Sequence, residues 1–383
     1  MSRHATAEGT QRYAKRFAGR TNETHFRMIA DPAAQKSDRL QPQQQFAVST
    51  LGIGTYLGNP DEATDRAYTE AVIAAMESGF NVVDSAINYR LQRSERSIGA
   101  ALAELGRRGY EREEILLCTK AGFLTPDGAM PPDAGAYFEK EFIARGILKA
   151  DEIAAGCHSM APRYLADQLE RSLHNLGVNC LDVFYLHNPE TQLSELSRGD
   201  FLARLGAAFM WAESMVSAGK ICAYGMATWN GFRVPPDSPE HISLAAVEAM
   251  AREIAGEAHH FRYVQLPVNL AMTEALTLPN QELEDKPVTM VEAAGALGIH
   301  LIGSAALLQG RMARKLPAFV AKAIGLENDA ERALQFARSV PGMTSALVGM
   351  SRAEHVRANA RLFAEPLLDA EQFAWLFSRG EGA

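Results

Sequence analysis

The chain has 383 residues, 47% hydrophobic and 22% charged, with a net charge of −8 and no long run of one sign. That balance excludes the basic composition of a nucleic-acid scaffold, and no stretch has the apolar length of a secretion signal or a membrane span. The expectation is a globular cytoplasmic protein without nucleic-acid or membrane partners, long enough for one large domain or two average ones.

Residues 1–45 read as an arm outside the main pattern, with Gly9, Gly19 and Asn22 pointing to irregular structure. From residue 46, short apolar runs alternate with amphipathic stretches. Leu51–Thr55 is the first strand, and a helix over 62–78 with Ala67, Ala71, Ala74 and Met76 on its apolar stripe ends at Gly79. Strands follow at 81–86, 115–120, 181–187, 221–228, 263–269, 300–307 and 346–349, separated by helices at 94–107, 162–176, 201–218, 244–254, 288–297 and 329–338. A last helix at 352–363 closes the series, and 367–383 reads as a tail. Residues 123–160, rich in Pro, Gly and Asp, are too long for an ordinary strand-to-helix connection and read as a lid or binding loop.

Eight uninterrupted apolar strands, each followed by a helix, predict a (β/α)₈ barrel over residues 46–366. A doubly wound sheet is the alternative. It would be expected to carry GxGxxG after its first strand, and in Gly52-Ile53-Gly54-Thr55-Tyr56-Leu57-Gly58 the third glycine falls one place late. Cys118, Cys157, Cys180 and Cys222 are far apart and form no CxxC pair, so they read as packing residues, with neither a metal site nor a disulfide framework.

Active sites of such barrels lie at the carboxyl ends of the strands. Asp84 ends the second strand with Tyr89 in the loop beyond it, Lys120 ends the third and His187 the fourth. Each alone has an ordinary structural explanation, as a cap, a loop aromatic, a surface amine or a core histidine. Together they form a proton relay: an ammonium lowers the pKa of a nearby phenol, a carboxylate holds the ammonium charged, and an imidazole orients a carbonyl oxygen.

From about residue 50 to 363 the chain resembles the aldo-keto reductases, including those related to potassium-channel β subunits. The resemblance rests on Gly52-Ile53-Gly54-Thr55, Asp84-Ser85-Ala86 with Tyr89, Ser94-Glu95 with Gly99, and Thr119-Lys120. It continues through Asp182 to His187, Gly219-Lys220-Ile221 before Gly225, Gln265 with Asn269, Leu307-Leu308-Gln309-Gly310, and Gly349-Met350-Ser351 with Asn359. It implies hydride transfer from NADPH to an aldehyde or ketone, with Asp84, Tyr89, Lys120 and His187 as the catalytic tetrad and Tyr89 as general acid. By position, Gly54, Thr55, Tyr56, Thr228 and Gln265 would lie at the nicotinamide end. Leu307, Gln309 and Lys315 would hold the pyrophosphate, and Gly349, Ser351, Arg352, His355 and Asn359 the adenosine end. A guanidinium at Arg352 suits a 2′-phosphate and favours NADP over NAD. The family also implies an arm that ends in a hairpin plugging the barrel.

The chain departs from the family beside the tetrad. Ser304 stands where an aromatic ring usually stacks on the nicotinamide, Ala227-Thr228 replaces a Ser-Asn pair, Val268 replaces Tyr, and Arg90 replaces the Gly after the tyrosine. Cofactor affinity is expected to be lower than is typical, with Tyr56 or Trp229 as substitute aromatic surface. Arg90 would lower the tyrosine pKa, meet an acidic substrate, or face solvent. Tyr137, Phe138, Phe142 and His158 would line the substrate pocket or pack outside the barrel. Two alternatives to a reductase remain: a cofactor-binding module with little turnover, and an unrelated barrel enzyme using Lys120 in a Schiff base. The sequence shows no decisive interface and leaves homo-oligomers open.

Overall fold

A computed structural model describes residues 4–30 and 45–378, so parts of the predicted arm and tail (1–3, 31–44 and 379–383) lie outside the described residues. Helix α1 (Ala7–Arg16) leads to an antiparallel pair, β1 (Phe26–Ala30) and β2 (Gln45–Ser49). The alternation then runs β3 (Leu51–Gly54), α2 (Glu62–Glu77), β4 (Val82–Asp84), α3 (Arg93–Arg107) and β5 (Leu116–Ala121). After α4 (Ala134–Phe138) come α5 (Pro162–Leu176), β6 (Leu181–His187), α6 (Arg198–Ser217), β7 (Ile221–Ala227), α7 (Leu244–Ala255) and β8 (Phe261–Pro267). The turn α8 (Glu274–Thr277) and the hairpin β9 (Gln281–Leu283) and β10 (Lys286–Val288) precede α9 (Met290–Leu297). The chain ends with β11 (His300–Ser304), α10 (Ala318–Ile324), α11 (Asp329–Ser339), β12 (Met343–Gly349), α12 (Ala353–Ala360) and α13 (Ala370–Ser378).

Strands β3 to β8, β11 and β12 form a closed parallel barrel in chain order, with β8 on β11 and β12 on β3 completing the ring. Closure excludes the doubly wound alternative and brings all eight carboxyl ends to one rim. The barrel strands are buried on both faces, which is why their sequences are apolar runs rather than alternations. On β6, Val183 and Tyr185 belong to the inner cluster, while Phe184 and Leu186 pack outward beneath the helices. Each such fully buried side chain contributes about 1.5–3 kcal/mol.

The opposite end is closed from below. Ile29, Phe46 and Val48 of the β1–β2 pair share one cluster with the inward residues Val82, Leu116, Val183, Ala223 and Ile302. Asn81 ties this floor to the barrel, accepting from Ser49 N at 2.8 Å and donating to the Ala47 carbonyl at 2.8 Å.

The arm is not irregular over 7–16. Thr6 caps α1 by accepting from Gly9 N at 3.0 Å, and Tyr13 donates its hydroxyl to the carbonyls of Met76 and Phe80. Gly9, read from sequence as a loop residue, is a helix residue at a close approach. A Cβ there would lie 2.4 Å from the Glu113 carbonyl oxygen. In the 123–160 insertion, Phe142 packs with Leu148 and Tyr164 as a separate cluster, with Phe138 against it. These rings pack apart from the main core, while His158 of that predicted set contacts a tetrad residue, the His187 carbonyl.

Gly9→Ala should destabilise the protein by about 1–3 kcal/mol, the usual cost of overpacking a tight contact, measured as a lower denaturant midpoint. An unchanged midpoint would show that the arm does not dock as described.

Candidate active site

Inward residues alternate along each strand, so on β5 Cys118 and Lys120 both point into the barrel, and the register places Asp84 opposite Cys118. Lys120 Nζ reaches back to form an ion pair with Asp84 Oδ2 and donates to the Ser85 carbonyl at 2.7 Å. Gln265 Nε2, on β8, donates to the other Asp84 oxygen at 2.9 Å. The pair is buried. Burial raises the Asp84 carboxyl, opposed by Lys120 and Gln265. Burial lowers the Lys120 amine, but Asp84 and Tyr89 more than offset this and hold it above its ordinary value, so the ammonium persists.

After Asp84 the chain keeps bonding to β5, with Ser85 N and Ile87 N donating to the Cys118 and Lys120 carbonyls at 3.0 Å each. This delivers Tyr89 to the mouth, half-buried, with its ring 5.2 Å from Lys120 Nζ and 5.7 Å from the His187 ring. Burial pushes the phenol up and Lys120 pulls it down; burial wins, so the sequence expectation of a lowered value is reversed. The phenol stays protonated at neutrality. His187 is held well below its ordinary value by burial, Lys120 and His158, and is neutral. Its Nδ1 lies 3.2 Å from Asn88 Oδ1.

The next three residues, Arg90, Leu91 and Gln92, have φ of 49°, 58° and 71°. Such left-handed positions cost about 1–2 kcal/mol each without glycine. Arg90 does not face solvent. It is buried, donates to the Asn59 carbonyl at 3.0 Å and pairs with Asp65, which also holds Arg93. Behind this turn Glu95 accepts from Thr119 Oγ1 at 2.6 Å and Asn175 Nδ2 at 3.0 Å, joining α3 to β5 and α5.

His158 lies beneath His187. Its Nε2 is 2.7 Å from the His187 carbonyl oxygen, and Gln192 Nε2 contacts its Nδ1 at 3.2 Å. Burial lowers the ring to a pKa of about 4. Glu190 accepts from Trp229 N and Asn230 N at 2.6 and 3.0 Å, holding Trp229 at the rim with 42% exposure. Sequence reasoning missed Asn88, Glu190 and Gln192, whose roles depend on contacts across 30 to 100 residues.

The candidate cofactor residues lie on the same rim. Gly54 is half-buried, Thr55 donates to Ser85 Oγ at 3.0 Å, and Tyr56, 54% exposed, packs edge-to-face with Tyr89, ring centroids 5.0 Å apart. Thr228 is buried, and its hydroxyl has no partner. After β11, Leu307 is half-buried while Gln309 and Lys315 are exposed, and Ala305, Leu308, Gln309 and Lys315 all have positive φ. Gly349, the last residue of β12, is exposed; beyond it Arg352 and His355 are exposed and Ser351 and Asn359 half-buried. Ser351, Arg352 and Arg357 line a groove of about 560 Å³ between α2 and α12, with Arg108 on its other side. Asp84, Tyr89, Lys120 and His187 thus form one cluster, while Arg352, His355 and Asn359 lie at the start of and along α12.

Residues 50–236 match the model of the Aldo/keto reductase family. A D-threo-aldose 1-dehydrogenase from Pseudomonas sp. is 27% identical over 47% of this chain and 50% of its own length. A probable voltage-gated potassium channel subunit beta from Arabidopsis thaliana is 26% identical over 47% of each. The chain spans about half the length of these curated relatives. Among solved structures, an aldo/keto reductase from Klebsiella pneumoniae in complex with NADP and acetate superposes with a TM-score of 0.58 at 20% identity, over 87% of this chain and 91% of that one. A glycerol dehydrogenase from Gluconobacter oxydans does so with 0.60 at 16% identity, over 93% and 95%. These likenesses carry the fold.

The buried His158 gives a prediction with a defined sign. Its folded pKa, about 4, lies below the ordinary 6.5. Stability from its neutrality is therefore complete above pH 6.5 and lost as pH falls toward 4, by about 1.4 kcal/mol per pH unit. His158→Gln keeps a donor for the His187 carbonyl and removes this proton. In urea titrations the wild type should lose stability relative to the variant at that slope between pH 6.5 and 4. A difference independent of pH would mean that His158 titrates normally.

Proposed function

We propose that this chain, which belongs to the aldo/keto reductase family over residues 50–236, uses NADPH to reduce an aldehyde or ketone to the alcohol. The observation that carries the reading is the buried Asp84–Lys120 ion pair beside a half-buried, protonated Tyr89 and a neutral His187. A bound nicotinamide would supply the hydride. The chain's own residues manage the proton. Tyr89 donates its phenolic hydrogen to the carbonyl oxygen as negative charge develops there, and Lys120 stabilises the phenolate left behind. Asp84 keeps the ammonium charged and aimed. For His187 to donate a second hydrogen bond to the same oxygen from Nε2, its Nδ1 must accept, which requires Asn88 to turn its amide NH₂ rather than Oδ1 toward Nδ1.

The residues present fit the cofactor. The orphaned Thr228 hydroxyl lies beside Gln265, whose carbonyl accepts from Thr228 N at 2.9 Å, and together they offer partners for a carboxamide. Arg352 and Arg357, with Ser351, line a groove that also carries Glu70, Glu77 and Glu354, and a 2′-phosphate held by the two guanidinium groups favours NADP over NAD. The NADP of the Klebsiella protein supports the same choice. The exposed rings of Tyr56 and Trp229 substitute for the aromatic surface that Ser304 lacks. A Schiff-base role for Lys120 is disfavoured, because a paired, buried ammonium is a poor nucleophile. A small-molecule carbonyl or alcohol is the substrate, and the altered nicotinamide end keeps a binding module as the second reading.

Titration with NADPH and NAD⁺, followed by NADPH oxidation across a panel of aldehydes and ketones, tests the proposal. Turnover should fall at least about 100-fold in Tyr89→Phe with NADPH binding retained. Tight binding without turnover on the whole panel would favour the module, and full activity in Tyr89→Phe would remove Tyr89 as the acid. Thr228→Val should weaken NADPH binding about fivefold, the loss of one hydrogen bond of about 1 kcal/mol. Unchanged affinity would take Thr228 out of the cofactor site.

A further inference from the structure

At the end of the barrel remote from the tetrad, three metal-ligating side chains meet where the arm crosses β6 and β7, with a second cysteine beside one of them. Ligand atoms of His4, Asp182 and Cys222 all lie within 4.8 Å of one another. Cys180 Sγ is 3.7 Å from Cys222 Sγ, and no disulfide joins them. We propose that His4, Asp182 and Cys222, with Cys180 as fourth donor, form a zinc site that pins the N-terminal arm to the barrel floor.

Two thiolates, an imidazole and a carboxylate are the donor set that selects Zn²⁺ over hard cations such as Mg²⁺. With Zn–S bonds of about 2.3 Å at a tetrahedral angle, two thiolates stand about 3.8 Å apart, the spacing of this pair. His4 Nδ1 lies 2.7 Å from the Ala5 carbonyl oxygen. A carbonyl only accepts, so Nδ1 carries the hydrogen and Nε2 holds the lone pair, the arrangement by which metal-bound histidines are oriented. Asp182 is held in place before any ion arrives: Oδ1 accepts from Ala5 N at 2.6 Å, and Oδ2 accepts from Leu117 N and Arg112, each at 2.7 Å. The Arg112 guanidinium does not forbid the ion. Two thiolates and a carboxylate balance the charges of Zn²⁺ and arginine together. His4 and Cys222 are half-buried, which leaves an entry path, while Cys180 and Asp182 are buried. Binding replaces two S–H bonds by Zn–S bonds and releases two protons to solvent. The site joins His4 to residues 176 to 218 positions further along the chain, and the sequence spacing gives no hint of it.

The test uses the full chain, reduced and freed of metal. Zn²⁺ and Co²⁺ are titrated in, and the Co²⁺ adduct is examined for a thiolate-to-metal charge-transfer band. One Zn²⁺ per chain, that band, and affinity at least about tenfold weaker in His4→Ala and in Cys222→Ser are expected. Zn²⁺, but not Mg²⁺, should also protect Cys222 from alkylation in the wild type, a readout independent of any variant's folding. Zinc bound equally well by wild type and the Cys222→Ser variant, no thiolate band, or no protection from alkylation would each overturn the proposal. None of these readouts depends on carbonyl reduction, so the site stands or falls apart from the proposed activity.

Discussion

The Asp84–Lys120 ion pair is the constraint on which the barrel mouth depends. A carboxylate and an ammonium taken out of water are costly unless their remaining hydrogen-bonding capacity is used. Here Lys120 also donates to the Ser85 carbonyl, and Asp84 also accepts from Gln265, so the network reaches from β4 to β5 and across to β8. Removing either partner would strand a buried charge, at a cost of about 3–5 kcal/mol. The same pair bears on the protonation states around it: Asp84 supports Lys120 as an ammonium, and Lys120 adds to the burial that keeps His187 neutral.

Around that pair the molecule divides its tasks by barrel end. The floor is covered, with the apolar side chains of the β1–β2 pair closing the barrel and α1 packed beside them. The mouth carries the strained backbone: Arg90 to Gln92 after β4, Asn188 after β6, and Ala305, Leu308 and Gln309 after β11. Strain of this kind persists only where surroundings over-determine it. Asp65 gripping Arg90 and Arg93, and Glu95 bridging Thr119 and Asn175, supply that restraint beside Tyr89.

Much of this was legible in the sequence because the barrel writes itself in apolar strands of fixed order, and because Asp84, Lys120 and His187 stand at strand ends. The doubly buried run Leu181–His187 and the Pro at the start of α5 needed no tertiary knowledge. Less legible was whatever depends on one close contact. Gly9 carries the mark of a loop residue until the Glu113 carbonyl is seen beside it. Arg90, next to Tyr89 in sequence, turns away because its left-handed φ swings it to Asp65. The direction of the Tyr89 shift was missed because spacing reveals a nearby ammonium but not the depth of burial that outweighs it.

The central claim is that the mouth delivers a hydride to a carbonyl carbon while Tyr89 protonates its oxygen. Its most direct test is product labelling: reduction of an accepted carbonyl with NADPH deuterated at both C4 positions, in ordinary water, read by mass spectrometry and NMR. One deuterium on the carbinol carbon of every alcohol formed is predicted. Alcohol formed without deuterium at that carbon would contradict hydride transfer and the function built on the Asp84–Lys120 pair.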